Sequence, residues 1–131
     1  MGRPDYNFIA NYGANKVHLE AFDNTDADTY QMGMEHSIVL IDSTLGAGTV
    51  YLPPVSEAVG KIFTVRVKTF GSGNNVTVAP FLPYTSQPDS AIYDGSGADT
   101  GLALASAGAH AVLYSDGLSW IVLGFDLDTA S

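Results

Sequence analysis

Cysteine is absent from the 131 residues, which excludes a disulfide framework and thiolate metal ligation and leaves packing and subunit contacts as the sources of stability. Charge is also scarce: charged residues make up 15% of the chain, against roughly 25% in an ordinary soluble domain. A surface so poor in charge leaves apolar area in water, which favours oligomers or docking. Positive charge is the scarcest, with five Lys and Arg against fourteen Asp and Glu and a formal net charge of -9. Such a surface repels phosphate backbones and anionic membranes, so nucleic acid is not an expected partner. No apolar run approaches the roughly 18 to 20 residues of a membrane span. The opening Met1-Gly2-Arg3-Pro4-Asp5-Tyr6 lacks the basic-then-apolar order of a signal peptide, so the expectation is a product made in the cytoplasm with no membrane partner.

What is present is apolar and β-forming. Hydrophobic residues make up 46% of the chain, enough for the core of one domain. Residues 1–35 are polar, with scattered aromatics and no sustained period, and read as an extended interaction arm. Residues 36–131 form short apolar and β-branched runs separated by Gly, Pro, Asn and Asp clusters, the pattern of an all-β domain. Strands are expected near 37–42, 48–52, 61–69, 75–80, 101–105, 109–115 and 118–124, with a small one near 91–93. The fold expected is an antiparallel β-sandwich, jelly-roll-like domain or small barrel with an N-terminal arm.

Local chemistry sharpens several boundaries. Pro53 and Pro54 cannot donate ladder hydrogen bonds and should end a strand at Leu52, before a single turn over 56–59 closed by Gly60. Asp116-Gly117 between two apolar runs predicts a two-residue hairpin, which would set Leu113 opposite Trp120. Gly71-Ser72-Gly73-Asn74-Asn75 predicts a looser hairpin. In residues 61–69 strict alternation places Phe63, Val65 and Val67 on one face and Thr64, Arg66 and Lys68 on the other.

The succession Val50-Tyr51-Leu52-Pro53-Pro54, Ser56-Glu57-Ala58-Val59-Gly60-Lys61, Phe63-Thr64-Val65-Arg66-Val67-Lys68 and Asn75-Val76-Thr77-Val78-Ala79-Pro80 resembles small β domains of tailed-bacteriophage virion proteins. The closing Ala111 to Leu123 segment strengthens the likeness. Such domains occur in capsid decoration (cement) proteins and in tail-fibre or tail-spike segments, commonly as trimers. The resemblance transfers no catalytic residues, because the shared positions are prolines, glycines and core apolar residues.

His18, His36 and His110 lack the close spacing of a preformed zinc site. Asp23, Asp26 and Asp28 lack the glycine and distal glutamate of a calcium loop, and Asp94 to Asp99 has turn composition. No Gly-x-Ser-x-Gly elbow is present, and Gly71 to Asn75 lacks the Lys of a phosphate loop. No metal, cofactor or catalytic residue is therefore expected, and the protein is not expected to be an enzyme. Trp120 sits mid-strand, where core packing outweighs a sugar-stacking role. The interaction residues expected are the aromatics Tyr6, Phe8, Tyr12 and Phe22, which can anchor in a neighbour's pockets, together with Arg66 and Lys68, which can meet acidic groups across an interface.

These readings lead to two expectations. The first is a capsid decoration protein on the virion surface, made in the host cytoplasm, a homotrimer whose partner is the major capsid protein. The second is a tail-fibre or tail-tip module that recognises a host glycan through residues 82–99. A fibre carries a long shaft, whereas this chain reads as one arm and one β domain, which favours the first. On the arm reading, deleting residues 1–30 should leave a folded β-rich oligomer.

Overall fold

The computed structural model describes residues 17–23, 28–81, 92–93, 98–99 and 101–126. Among them run eleven strands: β1 (Val17–Ala21), β2 (Asp28–Gln31), β3 (Ile38–Ser43), β4 (Gly48–Tyr51), β5 (Ile62–Phe70), β6 (Val76–Ala79), β7 (Ile92–Tyr93), β8 (Ala98–Asp99), β9 (Leu102–Leu104), β10 (His110–Ser115) and β11 (Trp120–Asp126). They form a seven-stranded sheet ordered β1-β3-β5-β10-β11-β7-β8 and a four-stranded sheet ordered β2-β4-β6-β9. The all-β expectation holds, and the architecture is two sheets around a shared core.

The path of the chain differs from the antiparallel sandwich expected. Through the first six strands the chain changes sheet at every step, and β1, β3 and β5 stack in parallel. So do β2, β4 and β6. Each winding turn thus adds one strand to each sheet, as in a short solenoid. Only the later strands pair antiparallel, β10 with β5 and β11 and β9 with β6. Alternation of side chains has the same period in both pairing modes, so it could not separate them.

Inward positions alternate as the sequence predicts. Val39 and Ile41 of β3, Phe63, Val65 and Val67 of β5, Val76 and Val78 of β6, and Leu113 and Trp120 across the β10–β11 pair are all buried. Trp120 meets Phe63 edge-on, with ring centroids 5.8 Å apart and planes at 75°. This is the favoured aromatic geometry and bears out the core reading of Trp120.

The corners explain the winding. Gly71 to Asn75 joins β5 to β6 across the two sheets, so it is a sheet-to-sheet corner and not the hairpin expected. It rests on the preceding turn of the wind: Asn74 Nδ2 donates to the Thr44 carbonyl at 3.2 Å and the Gly71 amide donates to the Ser43 carbonyl at 3.2 Å. A Cβ on Gly71 would collide with the Thr44 backbone, so glycine is required here by close approach of two chains. One corner on, Gly48 lies against the Phe22 ring and the Asp28 carbonyl.

At the other end β4 stops at Tyr51, and the turn after Pro53-Pro54 is a single helical one. Glu57 and Ala58 amides donate to the Pro54 carbonyl at 3.0 and 3.2 Å, and Gly60 follows with φ of 78°. The β10–β11 connection has four residues instead of two, because Ser115 pairs with Trp120. Asp116 draws this loop together: its carboxylate accepts the amides of Leu118 and Ser119 at 2.9 and 2.8 Å, and those bonds hold its pKa below the ordinary value. Leu113 consequently faces Val122, with Leu123 as the extra residue of a bulge.

The N-terminal arm expected over 1–35 gives way over its described part. Val17–Ala21 and Asp28–Gln31 are strands. Phe22 is 1% exposed and Met32 2% exposed, both in the core. Asp23 and Asp28 flank the passage from one sheet to the other, the Asp23 amide donating to Asp28 Oδ2 at 2.8 Å, so residues with the composition of a tail stand at the ends of strands.

Candidate docking face

The outer face of the seven-stranded sheet carries apolar side chains on several neighbouring strands. Strand β3 reads Ile38-Val39-Leu40-Ile41, an unbroken run typical of parallel strands covered on both faces. Here Val39 and Ile41 point into the core, while Ile38 and Leu40 are half-buried on the outside. Registered pairs extend this into rows. Val17, Ile38, Thr64, Val112 and Gly124 make one row, and Leu19, Leu40, Arg66, His110 and Asp126 the next. A third runs Ile62, Tyr114, Ile121 and Tyr93. Val17, Leu19 and Ile62 are 52%, 56% and 51% exposed. With strands about 4.8 Å apart and alternate residues about 7 Å apart, the apolar patch covers on the order of 300 Å². Patches of that size on a single subunit are often functional.

Both signs of charge lie on the same side, since Asp126 stands in the row of Arg66 and Asp42 follows Leu40 on the outer positions of β3. Arg66 and Lys68 are exposed on the outer face of β5, and Lys61 directly precedes that strand. Neither Arg66 nor Lys68 forms an ion pair with a described residue. Lys68 contributes to the field at Asp42, whose carboxyl is pushed down to about 2, chiefly by a hydrogen bond with Thr69 and then by those with the Thr44 side chain and amide. The amide bond, 3.0 Å long, fixes the start of the 44–47 corner. Of the other interaction residues expected from sequence, Phe22 is withdrawn into the core, where it cannot touch a partner. Tyr6, Phe8 and Tyr12 lie outside the described residues.

A second cluster was not visible in sequence. At the β1 edge His18 and Glu20 share the inward register of Val39 and Ile41, so polar groups point towards the core where the sheet ends. His18 Nε2 lies 2.9 Å from Glu20 Oε1. The His18 ring stacks on Tyr30 of β2 at 4.7 Å and 9°, and His36 tilts against it at 5.1 Å. Burial first, then the Glu20 and Glu35 charges, push the Tyr30 hydroxyl up in pKa. The buried His36 Nδ1 has no hydrogen-bond partner. No group of three or more His, Cys, Asp or Glu among the described residues has metal-binding geometry. Inward-pointing charge at an open strand is a recognised guard against edge-to-edge aggregation, and that is what His18 and Glu20 supply at β1. A period-two count that placed Val17 and Leu19 outside would have revealed the pair.

No helix among the described residues is long and apolar enough to cross a membrane. No protein-family model matches the chain, and no curated protein matches it either.

Proposed function

We propose that this protein is a structural, shell-associated virion protein of a tailed bacteriophage, a non-catalytic homotrimer that docks on the major capsid protein as a decoration subunit. The observation that carries the docking part is the apolar outer face of the seven-stranded sheet, with Arg66 and Lys68 exposed on it. A protein with so few charges and one such face is built to be covered. The virion part rests on the resemblance of the segments between Val50 and Leu123. Repetition over a symmetric shell turns modest interfaces into high avidity, which suits a patch smaller than the roughly 800 Å² per partner of a standard interface. A host-glycan-binding tail module is the alternative, carried by the same resemblance.

The test is the copy number of this protein relative to the major capsid protein in purified virions, by quantitative mass spectrometry. Decoration predicts copies comparable with the capsid protein. A handful per particle would move the protein to the tail, and absence would overturn the virion reading.

A further inference from the structure

Strand β2 ends the four-stranded sheet on one side and pairs only with β4 among the described residues. Successive residues of a strand direct their backbone groups to opposite neighbours. The Asp28 and Met32 amides donate to the Ala47 and Tyr51 carbonyls on the β4 side, at 3.1 and 2.8 Å. Thr29 and Gln31 therefore direct theirs to the other side, where a further strand would lie. The core stops short at the same place. One inward row runs Val78, Val50, Tyr30; both valines are fully buried, whereas Tyr30 is half-buried, with its ring stacked on His18. The inward side chains of neighbouring β1, His18 and Glu20, are 30% and 32% exposed.

The sequence holds a segment at the spacing this edge needs. The wind advances by 20 or 21 residues per turn at this end, since Asp28 pairs with Gly48 and Val17 with Ile38. One such step of 20 residues before Asp28–Gln31 stands Phe8-Ile9-Ala10-Asn11. In that register Phe8 and Ala10 would take the inward rows of Asp28 and Tyr30, and Asn11 the outward row of Gln31. A ring and a small apolar side chain would then cover the half-buried end of the core. Residues 12–16 are left to reach Val17, with Gly13 and Asn15 among them as turn formers. The next link from the smaller sheet to the larger, residues 32–37 between β2 and β3, is of similar length.

We propose that residues 8–11 dock on the open edge of β2 in the same chain as a parallel strand, adding a half-turn to the wind. Main-chain hydrogen bonds to Thr29 and Gln31 hold the strand, and the inward places of Phe8 and Ala10 fix its register, as in β-strand addition. The inference uses the edge of the smaller sheet and is independent of the virion and capsid-docking reading above.

The test is amide hydrogen exchange of the full chain, followed residue by residue by NMR. The wild-type Thr29 and Gln31 amides are expected to be protected. Ala10→Pro removes the amide that the Thr29 carbonyl would accept, and Phe8→Asp sets a charge in an inward row; each should speed exchange at Thr29 and Gln31 at least about tenfold. Ile9→Pro should leave that protection in place, because in this register the Ile9 amide faces away from β2. Protection at Val65 and Leu113 should be the same in all three variants. Wild-type Thr29 and Gln31 amides that exchange as freely as an open edge would overturn the proposal by themselves, whatever the variants do. Protection that survives both Ala10→Pro and Phe8→Asp would give the edge to a different segment, and protection that fades on roughly tenfold dilution would give it to a second copy; either overturns the pairing within one chain.

Discussion

Single residues decide whether the first winding turn belongs to the fold. Phe22 is buried, its amide donates to the Asp42 carbonyl at 2.8 Å and its ring packs on Gly48. Phe22→Ala should therefore cost about 3 to 5 kcal/mol, as large-to-small changes of buried aromatics do. Urea denaturation would measure it, and a loss within about 0.5 kcal/mol, the range of ordinary surface substitutions, would return Phe22 to the surface. Asp42 supplies a pH dependence of definite sign. Its carboxyl is held at about 2 in the fold against an ordinary 3.8, so the ionised form stabilises the fold above about pH 4. That contribution fades as pH falls through 2. Asp42→Asn should be less stable than wild type at pH 7, and the gap should close towards pH 2; a gap that stays constant in denaturation curves between those limits would contradict the assignment.

At the level of elements, β1 and β2 are the outermost strands of the parallel stacks. Removing residues 1–30 takes away β1, Phe22 and most of β2, leaving the cores of β3 and β4 uncovered. The shortened chain should lose cooperative thermal unfolding or aggregate, with the loss of β signal followed by circular dichroism. A soluble, cooperatively folded product would revive the arm reading that composition suggested for this segment. Over Val17–Ala21 and Asp28–Gln31, which are strands, composition misled for a specific reason: turns between strands draw on Asn, Asp and Gly, the residues that also mark unstructured chain. Strand positions from Ile38 onward were legible to within about two residues, because alternation and proline placement act locally; the two-residue β8 (Ala98–Asp99), read as turn composition, was missed. The pairing partners were not legible, because a corner and a hairpin draw on the same turn residues.

For the whole molecule, the acidic balance and the placement of Arg66 and Lys68 give association an electrostatic component. Arg66→Glu with Lys68→Glu should weaken docking on capsid shells in low salt, and the difference from wild type should shrink in 1 M salt, where the Debye length falls to about 3 Å. Co-sedimentation with shells at two ionic strengths would measure it; a difference independent of salt would assign the effect to packing instead. Half of the candidate site was visible in sequence, namely the two cations on the polar side of β5. The rest was not, since Leu19, Ile62 and Gly124 come together only when five strands stand side by side.

Composition and local patterning alone determined that the chain is all-β, that Trp120 and the alternating residues of β5 lie inside, and that the surface is acidic and poor in charge. Those properties follow from side-chain hydrophobicity and backbone preferences that act over a few residues. Tertiary structure decided the parallel winding, the inward turn of His18 and Glu20, the burial of Phe22 and the assembly of one apolar face. Each depends on which distant strands become neighbours, and that is set by how the corners stack and the core closes over the whole chain.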